Sequence, residues 1–378
     1  MVKAVAKDKS YKNPMNAPRK VKLKQVAEIR EEIAKFLELK NPQRIAIVAD
    51  NDPDGMTAAL QVKKFLDKNS NDTIIFFYDH YSRTSIRFLD LFVSFNPQKT
   101  IFIDLAEELI SECLEAIGHY TQKFLVVDHH KPSDIRNAEF EFKIIKPTDF
   151  SKIEPSKYPS SKMAFDLFHG EHWLCAVGLI GDSATEHWPS IMRNATRKYN
   201  VTLEDLTKIE NLIRAVMSQF PEEKQGMLAE FYNAQKPQNI LSSPYMKYKT
   251  EFDKRFATLE IEYAKTKEEV PELDLVFFKG KFKLSSTLIN KISKERPHTT
   301  FVFYEQPDHV FSASFRRSDF KVECGEMAKF CVKGVLNANG GGHTPAAGAT
   351  FPFEHLEEFK KRVKEYLTAN YKKEEKEE

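Results

Sequence analysis

The stretch RIAIVADNDPDGMTAAL (residues 44–60) runs from a short apolar segment directly into three aspartates and a glycine. Its first six residues are almost continuously apolar, which is typical of a strand covered on both faces of a sheet. Four similar segments follow: TIIFFY (73–78), TIFI (100–103), FLVV (124–127) and FKII (142–145). Stretches with apolar residues at helical spacing separate them. This alternation predicts an α/β fold with a doubly wound, mostly parallel sheet.

The rest of the chain predicts a second domain. A predominantly helical stretch precedes a polar, proline-containing linker near residues 236–244, and the strand and helix rhythm then restarts. Its expected strands are DLVFF (274–278), TTFVFY (299–304) and VFSASF (310–315), and its expected helices lie near 285–294, 326–336 and 354–371. We therefore expect a smaller α/β domain joined to the first by a helical connector. The predicted divisions are a basic arm (1–25), a catalytic domain (26–190), a connector and linker (191–245), a substrate-binding domain (246–371) and a charged tail (372–378).

Composition excludes several classes of protein. The 378 residues suffice for two domains, and 41% apolar with 30% charged residues is typical of a globular protein. No apolar run approaches the roughly 20 residues that span a bilayer, and the N-terminus lacks the apolar core of a secretory signal. The four cysteines are scattered, which argues against a disulfide framework or a zinc knuckle. We expect a cytoplasmic protein that does not associate with membranes.

The charge is nearly balanced overall but uneven along the chain. A net charge of +2, from 57 basic and 55 acidic residues, does not indicate a globally basic nucleic-acid binder. Residues 1–25, however, hold eight Lys or Arg and a single acid, Asp8. This arm is either a solvated tail or a segment attracted to phosphate backbones, in which case its contribution weakens with salt.

Acids and imidazoles follow three of the predicted strands. The carboxyl ends of parallel strands meet at one edge of a sheet, where ligands bind. A single acid after a strand is commonly a helix cap, and Asp182 taken alone fits that description. Capping explains neither three alternating acids nor two adjacent histidines, so the pattern predicts a metal site. The residues are Asp50, Asp52, Asp54, Asp104, Asp128, His129 and His130.

The types of ligand limit which metal ions the predicted site can bind. Several carboxylates with one or two imidazoles and no thiolate favour Mn²⁺ or Mg²⁺, with Co²⁺ as a substitute. The oxygen ligands suffice for two ions, and a pair of ions suits displacement at phosphorus.

These motifs resemble the DHH phosphoesterase superfamily. ADNDPDGMTAAL is similar to its first motif, FIDLA to its second, and VVDHHKPS contains the triplet that names it. GLIGDSA resembles the fourth motif, and SASFRRS followed by NGGGHTPAAGATF resembles the DHH-associated domain. The first motif is closer to RecJ exonucleases than to pyrophosphatases or nanoRNases. The length resembles the compact archaeal RecJ-like proteins.

The resemblance implies roles for the acidic and imidazole residues. Asp52, Asp54, Asp104, His129 and Asp182 would ligate two Mn²⁺, with Asp104 and Asp182 bridging them, and Asp50 would be a further or supporting ligand. Asp128 would orient the histidines. His130 would contact the scissile phosphate or protonate the leaving oxygen. Hydrolysis would proceed by attack of a hydroxide held by the two ions.

The second domain is expected to bind substrate. Gly340, Gly341 and Gly342 allow backbone N–H groups to approach a phosphate, although a glycine triplet alone is more commonly a flexible turn. His343, Ser314, Arg316 and Arg317 complete the expected anion site. Adjacent residues of a strand point to opposite faces, so one arginine should face the substrate, and Arg316 is favoured.

Three functions compete. The first is an Mn²⁺-dependent exonuclease that releases nucleoside monophosphates from single-stranded DNA or RNA. The second is a nanoRNase-type hydrolase of short oligoribonucleotides or cyclic dinucleotides. The third is a scaffold of RecJ ancestry that binds replisome proteins at the replication fork. Retention of all the expected ligands favours catalysis.

Overall fold

The computed structural model describes residues 23–69, 71–78, 86–121, 123–130, 140–281, 284–306 and 310–377. The chain divides into two compact units, Met1–Lys249 and Thr250–Glu378, and each is described by itself. Most of the basic arm, residues 1–22, lies outside the described residues. No helix in the described ranges combines the length and apolarity needed to cross a membrane.

The first unit contains a five-stranded sheet. Its strands are β1 (Arg44–Ala49), β2 (Asp72–Phe77), β3 (Lys99–Ile103), β4 (Lys123–Val127) and β5 (Glu141–Ile145). They pair in the order β2-β1-β3-β4-β5, and all four pairings are parallel. In this order the chain winds one way from β1 to β2 and the other way from β3 onwards. The gap between β1 and β3 is therefore the switch point, where ligands of such sheets bind.

Helices surround this sheet. They are α1 (Val26–Phe36), α2 (Pro53–Lys68), α3 (Ile86–Phe95), α4 (Glu107–Ile117), α5 (Ser160–Leu167), α6 (His172–Gly181), α7 (Pro189–Tyr199), α8 (Leu203–Gln219), α9 (Lys224–Asn233) and α10 (Pro237–Leu241). Alternate strand residues enter two separate cores: Ile45 and Ile47 pack in one, Ala46 and Val48 in the other. Burial of both strand faces explains the continuously apolar strands and confirms the doubly wound α/β fold.

The segment expected to be a connector packs on the first unit. Ile191 and Ala195 of α7 and Leu206 of α8 belong to the core that contains Ile45 of β1. The next helix, α11 (Met246–Thr266), begins in the first unit and continues into the second. The sequence pattern did not predict α11, because only Phe252 and Leu259 are buried along its 21 residues.

The second unit has a six-stranded sheet. Its strands are β6 (Glu268–Val270), β7 (Leu275–Lys279), β8 (Thr300–Glu305), β9 (Val310–Arg316), β10 (Asn339–His343) and β11 (Ala346–Pro352). The order is β10-β11-β9-β8-β7-β6, and only β7 and β8 are parallel. Its helices are α12 (Ser285–Glu295), α13 (Cys324–Val332) and α14 (Leu356–Glu377). Helices α13 and α14 cover one face, where Met327, Phe359 and Val363 form a core with Phe315.

One local prediction for the second unit was wrong. The helix expected at 326–336 ends at Val332, because Gly334 adopts a left-handed conformation with φ of 76° that stops the helix. The glycine run, for which a flexible turn was the competing interpretation, lies in strand β10, which pairs with β11.

The four cysteines are buried, and all have free thiols. Cys113 and Cys175 lie in the first unit, and Cys324 and Cys331 lie in the second. Their separation and burial agree with the absence of a disulfide framework expected from their spacing.

Candidate metal centre

Three aspartates stand in a row across the carboxyl edge of the first sheet. Asp50, Asp104 and Asp128 each follow the last residue of a strand. The backbone N–H of Asp50 donates to the Ile103 carbonyl at 3.1 Å and that of Asp104 to Val127 at 3.1 Å. The N–H of Asp128 donates to Ile145 at 3.3 Å. The parallel hydrogen-bonding pattern thus continues one residue beyond the strands and places these aspartates at one level.

The start of α2 supplies two more acids. Asp52 is the N-cap of this helix, and its Oδ1 accepts a hydrogen bond from the N–H of Gly55 at 2.8 Å. A Cβ at position 55 would stand 2.7 Å from the Asp50 carbonyl oxygen, so the tight entry into α2 requires glycine. Asp54 is 1% exposed. The first two residues of α5 bind its carboxylate, with Ser160 N–H at 2.7 Å and Ser161 N–H at 3.0 Å.

His129 faces the acids with its Nε2 atom. Its Nδ1 lies 3.2 Å from the Pro155 carbonyl oxygen, which can only accept, so Nδ1 carries the proton of that hydrogen bond. Nε2 lies 3.3 Å from Asp104 Oδ1 and 3.8 Å from Asp182 Oδ2. A neutral His129 would therefore direct the lone pair of Nε2 towards two carboxylates, as a metal-ligating histidine does.

The acids form overlapping groups. Within the described ranges, three sets of side chains each place one ligand atom per residue within 4.8 Å of the others. Asp104 joins two of the sets and His129 joins two. The sets are Asp50–Asp52–Asp104, Asp54–His129–Asp182 and Asp104–His129–His130. All six residues predicted as ligands are thus brought together, and Asp104 occupies the central position.

The acids raise one another's pKa. Burial and the charge of Asp104 hold the pKa values of Asp52 and Asp54 well above the usual value. Burial raises the pKa of Asp182 in the same way, and Asp104 adds to the shift. Burial alone would lower the pKa of His129, but the hydrogen bond and charge of Asp104, with Asp54 and Asp182, raise it to about 11. Such crowding of like charges favours any cation that enters the site.

The residues present fit divalent cations that prefer oxygen ligands. The donors are carboxylate oxygens with one or two imidazole nitrogens, and the four cysteines lie in buried positions outside the three sets. The Oδ1 atom of Asn51, between Asp50 and Asp52, is buried and has no hydrogen-bond partner among the described residues. A ligand or an ordered water at the site would supply that partner.

Asp128 and His130 form a second arrangement beside the acids. Asp128 is fully buried, and its Oδ1 accepts a hydrogen bond from Nδ1 of His130 at 2.7 Å. Its Oδ2 accepts from Nζ of Lys146 at 2.5 Å. Burial alone would raise the pKa of Asp128, but His130 and Lys146 together lower it below its usual value. The side chain of His130 is 44% exposed, so its ring can reach a bound molecule.

Sequence reasoning missed the residues that hold these ligands in place. Ser160, Ser161, Lys146 and Glu107 are buried and polar, and each lies far along the chain from its partner. The two serines contact Asp54, Lys146 contacts Asp128, and Glu107 contacts Lys146. The one available signal was Lys146 itself, because it is the basic residue that directly follows the apolar strand FKII.

In the second unit, the structure separates the two arginines that were predicted to bind substrate. Strand β9 alternates buried and half-buried residues, and Ser314 and Arg316 share the half-buried face. Arg317 is 3% exposed, and its Nε and Nη2 bind both oxygens of Asp319 at 2.9 and 3.1 Å. Because its guanidinium already binds Asp319 in this buried ion pair, Arg317 is not part of the proposed substrate site.

The glycines border the face of Ser314. Gly341 pairs with Gly348 of β11, which pairs in turn with Ser314, so the three lie in one row on the same face of the sheet. A Cβ at Gly341 would have a single neighbour within 4 Å, the Lys329 Cε. Gly340 and Gly342 differ, because a Cβ there would collide with the backbone of Ala328 or Ala347 at 2.7 and 2.5 Å. The backbone of His343 belongs to β10, but its side chain lies outside the described part of the structure.

Two domain families match the chain. Residues 44–185 match the DHH family, N-terminal domain, and residues 276–369 match the DHHA1 domain. The first match contains every acid and histidine of the metal centre, and the second contains Ser314, Arg316 and the glycines. No curated protein matches the sequence.

Solved structures share the fold at low sequence identity. RecJ of Thermus thermophilus in complex with Mn²⁺ is 17% identical with a TM-score of 0.67, over 93% of this chain and 56% of that one. An exonuclease RecJ bound to manganese is 16% identical with a TM-score of 0.61, over 92% and 95%. CDC45 of Entamoeba histolytica is 10% identical with a TM-score of 0.56, over 92% and 100%. The chain thus spans little more than half of the Thermus protein.

Proposed function

The chain belongs to the DHH phosphoesterase superfamily, and from that premise we propose that it is a metal-dependent exonuclease of the RecJ type. Its substrate would be single-stranded DNA or RNA, hydrolysed from one end to nucleoside monophosphates. The observation that carries the proposal is the overlap of three potential metal-binding sets at Asp104 and His129. Overlapping sets suit two neighbouring ions, and such pairs serve in-line displacement at phosphorus.

The proposed ligands are Asp50, Asp52, Asp54, Asp104, His129 and Asp182. When bound, Mn²⁺ or Mg²⁺ would supply the Lewis acidity that activates water and neutralises charge on the phosphoryl oxygens. RecJ structures that share this fold contain Mn²⁺ or Mg²⁺, which supports a divalent cation of this kind. The start of α5 contributes by fixing Asp54 through two backbone N–H groups and Asp104 through the Ser160 hydroxyl at 2.9 Å.

His130 would act on the leaving group. Its Nδ1–H is held by the buried carboxylate of Asp128, so Nε2 is the atom available to a substrate. Burial lowers the pKa of His130, but the hydrogen bond and charge of Asp128 raise it to a higher value overall. A raised pKa favours the protonated ring, which suits protonation of the departing sugar oxygen.

The second unit would bind the phosphate backbone. Arg316 offers a guanidinium on the half-buried face of β9, where its Nε contacts only the exposed Asn290 at 2.7 Å among the side chains of the described residues. Guanidinium groups bind phosphate oxygens in pairs. Ser314 and Gly341 lie on the same face, and His343 remains in the proposed set through its position on β10. Gly340 and Gly342 would shape this strand rather than contact the ligand.

A replisome scaffold is the second candidate. CDC45 of Entamoeba histolytica shares the fold over nearly the whole of both chains, which favours this alternative. An active nuclease and a replisome partner are compatible functions.

The test is digestion of end-labelled single strands of DNA and RNA, 2 to 30 nucleotides long, with Mn²⁺ or with EDTA. We expect stepwise shortening from one end that requires metal and is abolished by Asp104→Asn. Asp72→Asn is the matched control, because Asp72 is an exposed carboxylate at the opposite end of the same sheet. Cleavage confined to the shortest strands would indicate a nanoRNase instead. Absence of cleavage with any divalent metal would contradict the proposal and favour the scaffold.

A further inference from the structure

Lys146 is a buried cation at the edge of the metal centre. It directly follows β5, and its side chain is 3% exposed. Its Nζ contacts three oxygens: Asp128 Oδ2 at 2.5 Å, the His130 carbonyl at 3.1 Å and Glu107 Oε1 at 3.5 Å. Two of these contacts are hydrogen bonds, to Asp128 and to the His130 carbonyl, and the third is an ion pair with Glu107.

Two of these contacts converge on His130. Lys146 binds the Asp128 oxygen that His130 does not use, and it also binds the backbone carbonyl of His130 itself. The imidazole is therefore tied to Lys146 both through its ring partner and through its main chain. Glu107, the first residue of α4, holds the ammonium from the other side and is 1% exposed.

Burial of these three charged groups is an inefficient way to stabilise a fold. Removal of two carboxylates and an ammonium from water costs several kcal/mol per ion, and well-packed apolar residues of the same volume are often as stabilising. The adjoining strand ends bury apolar residues, such as Val127 and Ile145, without charge. The position of the network beside His130 suggests that it serves geometry at the reacting atoms.

We propose that Lys146 is a positioning residue for His130 in the proposed phosphodiester hydrolysis. By holding Oδ2 of Asp128, it fixes the carboxylate in the orientation in which Oδ1 accepts the Nδ1–H of His130. The ring is thereby held in one orientation, with Nε2 directed away from Asp128 and available to the leaving oxygen of a phosphodiester. Glu107 serves this role indirectly, because it anchors Lys146. The inference rests on the proposed function for its chemistry but on the described contacts for its geometry.

The first test compares Lys146→Met with Lys99→Met. Lys99 is a matched control, because it is also a buried lysine of the same sheet, at the start of β3, where its Nζ donates to the Leu37 carbonyl at 2.7 Å. We expect Lys146→Met to lower kcat at least tenfold, with KM and Mn²⁺ affinity within about twofold, since general acid catalysis is worth about 10²–10⁴-fold. Lys99→Met should leave kcat unchanged. An equal fall in kcat in both variants would overturn the proposal.

The second test is a double-mutant cycle. Lys146→Met leaves the buried carboxylate of Asp128 uncompensated, whereas Lys146→Met combined with Asp128→Asn removes the charges of Lys146 and Asp128 together and leaves Glu107 as the remaining buried carboxylate. If Lys146 acts through Asp128, the double variant should have the kcat of Asp128→Asn alone. Lys146→Met should likewise cause no further loss of kcat when it is combined with His130→Ala. A further tenfold loss in either background would overturn the proposal.

The third test does not require activity. Nitrogen-15 NMR of the metal-free protein reports which ring nitrogen of His130 carries the proton. We expect the wild type and Lys99→Met to show a hydrogen-bonded Nδ1–H, and Lys146→Met to lose it. An unchanged His130 signal in folded Lys146→Met would overturn the positioning role. If the wild type were inactive but its Nδ1–H depended on Lys146, the proposed function would fail while the geometric inference stood.

Discussion

Asp104 combines a central place in the metal centre with an unusual backbone. Its φ of 59° lies in the left-handed region, which aspartate tolerates better than most residues but which still costs energy. The backbone turns at the point where β3 ends, and Asp104 Oδ1 comes within 3.3 Å of His129 Nε2. Strained residues persist where the surrounding structure holds them and cluster at functional sites. Here the strained residue is Asp104, the acid that belongs to two of the three potential ligand sets and shares one of them with His129.

His129 makes metal binding a proton-releasing event. Its pKa of about 11 in the metal-free protein means that the ring holds two protons at neutral pH. Coordination needs the lone pair of Nε2, so that proton must leave, and affinity should rise with pH. We expect Mn²⁺ titration calorimetry at pH 7.5, in buffers of different ionisation enthalpy, to show release of about one proton that His129→Ala removes. Release unchanged in His129→Ala, or equally reduced in the exposed control His119→Ala, would contradict this role.

The Arg317–Asp319 pair controls stability in the second unit. Burial alone would raise the pKa of Asp319, but Arg317, the Lys321 N–H and His298 lower it to about 2. A lowered pKa contributes stability at any pH above the ordinary value near 4, and this stability is lost as the pH falls towards 2. We expect Arg317→Ala to lower the free energy of unfolding by about 1–3 kcal/mol, because it removes the bidentate partner of the Asp319 carboxylate, which the Lys321 N–H and His298 still contact.

Denaturant unfolding between pH 2 and 7 checks this prediction. The loss of stability below pH 4 should be smaller in Asp319→Asn than in the wild type. Glu354→Gln, at an exposed carboxylate of the same unit, should retain the wild-type pH dependence. Identical pH profiles in Asp319→Asn and the wild type would refute the role of the pair.

At the scale of elements, strand β10 separates two kinds of glycine. A Cβ at Gly340 would lie 2.7 Å from the Ala328 carbonyl oxygen of α13, whereas at Gly341 its nearest neighbour would be 4.0 Å away. We expect Gly340→Ala to cost about 1–3 kcal/mol of unfolding free energy and Gly341→Ala less than about 0.5 kcal/mol. Gly341→Ala should instead raise KM for single strands, because the methyl group stands in the row of Ser314. Equal destabilisation by the two variants, measured by chemical denaturation, would contradict the packing argument.

The sequence predicted the elements that carry the acids better than the contacts that orient them. RIAIVA forms β1 over its whole length, and the acids that follow it reach the predicted edge because parallel strands share one direction. The contact between Lys146 and Asp128 could not be predicted from the sequence pattern in the same way. It joins the ends of two neighbouring strands across 18 positions of sequence, and a lysine after a strand carries no periodic signal.

The two arginines of SFRR illustrate the same limit at the end of a strand. Arg316, the last residue of β9, is half-buried, whereas Arg317, the residue after the strand, is buried. The partner of Arg317 lies two residues beyond it, in a turn that the apolar pattern does not define. Side-chain pairing in turns depends on local backbone geometry, which single-sequence patterns do not encode.

At the scale of the whole molecule, the proposed metal ligands lie in one unit only. All six belong to Met1–Lys249. A ligand that binds the folded state alone stabilises it by about 2.7 kcal/mol at a hundred times its dissociation constant. Calorimetry of the full chain should therefore show that Mn²⁺ raises the melting temperature of the first-unit transition and not of the second. Arg317→Ala identifies the second-unit transition by lowering it, and Asp54→Asn should abolish the Mn²⁺ shift. A shift confined to the second-unit transition would contradict the assignment.

The four buried cysteines divide evenly between the units, and this makes them reporters of opening. Cys175 and Cys113 are buried in the two separate cores of the first unit, and Cys324 and Cys331 are buried in the core of the second. Burial raises the pKa of Cys113 and Cys324 to about 12. A thiol reagent reacts with the exposed thiolate, so each pair should react only when its own unit unfolds. Pulse labelling in rising denaturant, read by intact mass, should add labels two at a time, and peptide mass should assign each pair to its unit. Addition one at a time would show that the thiols open locally. The native cysteines would thus report, without any engineered probe, which of the two units has unfolded.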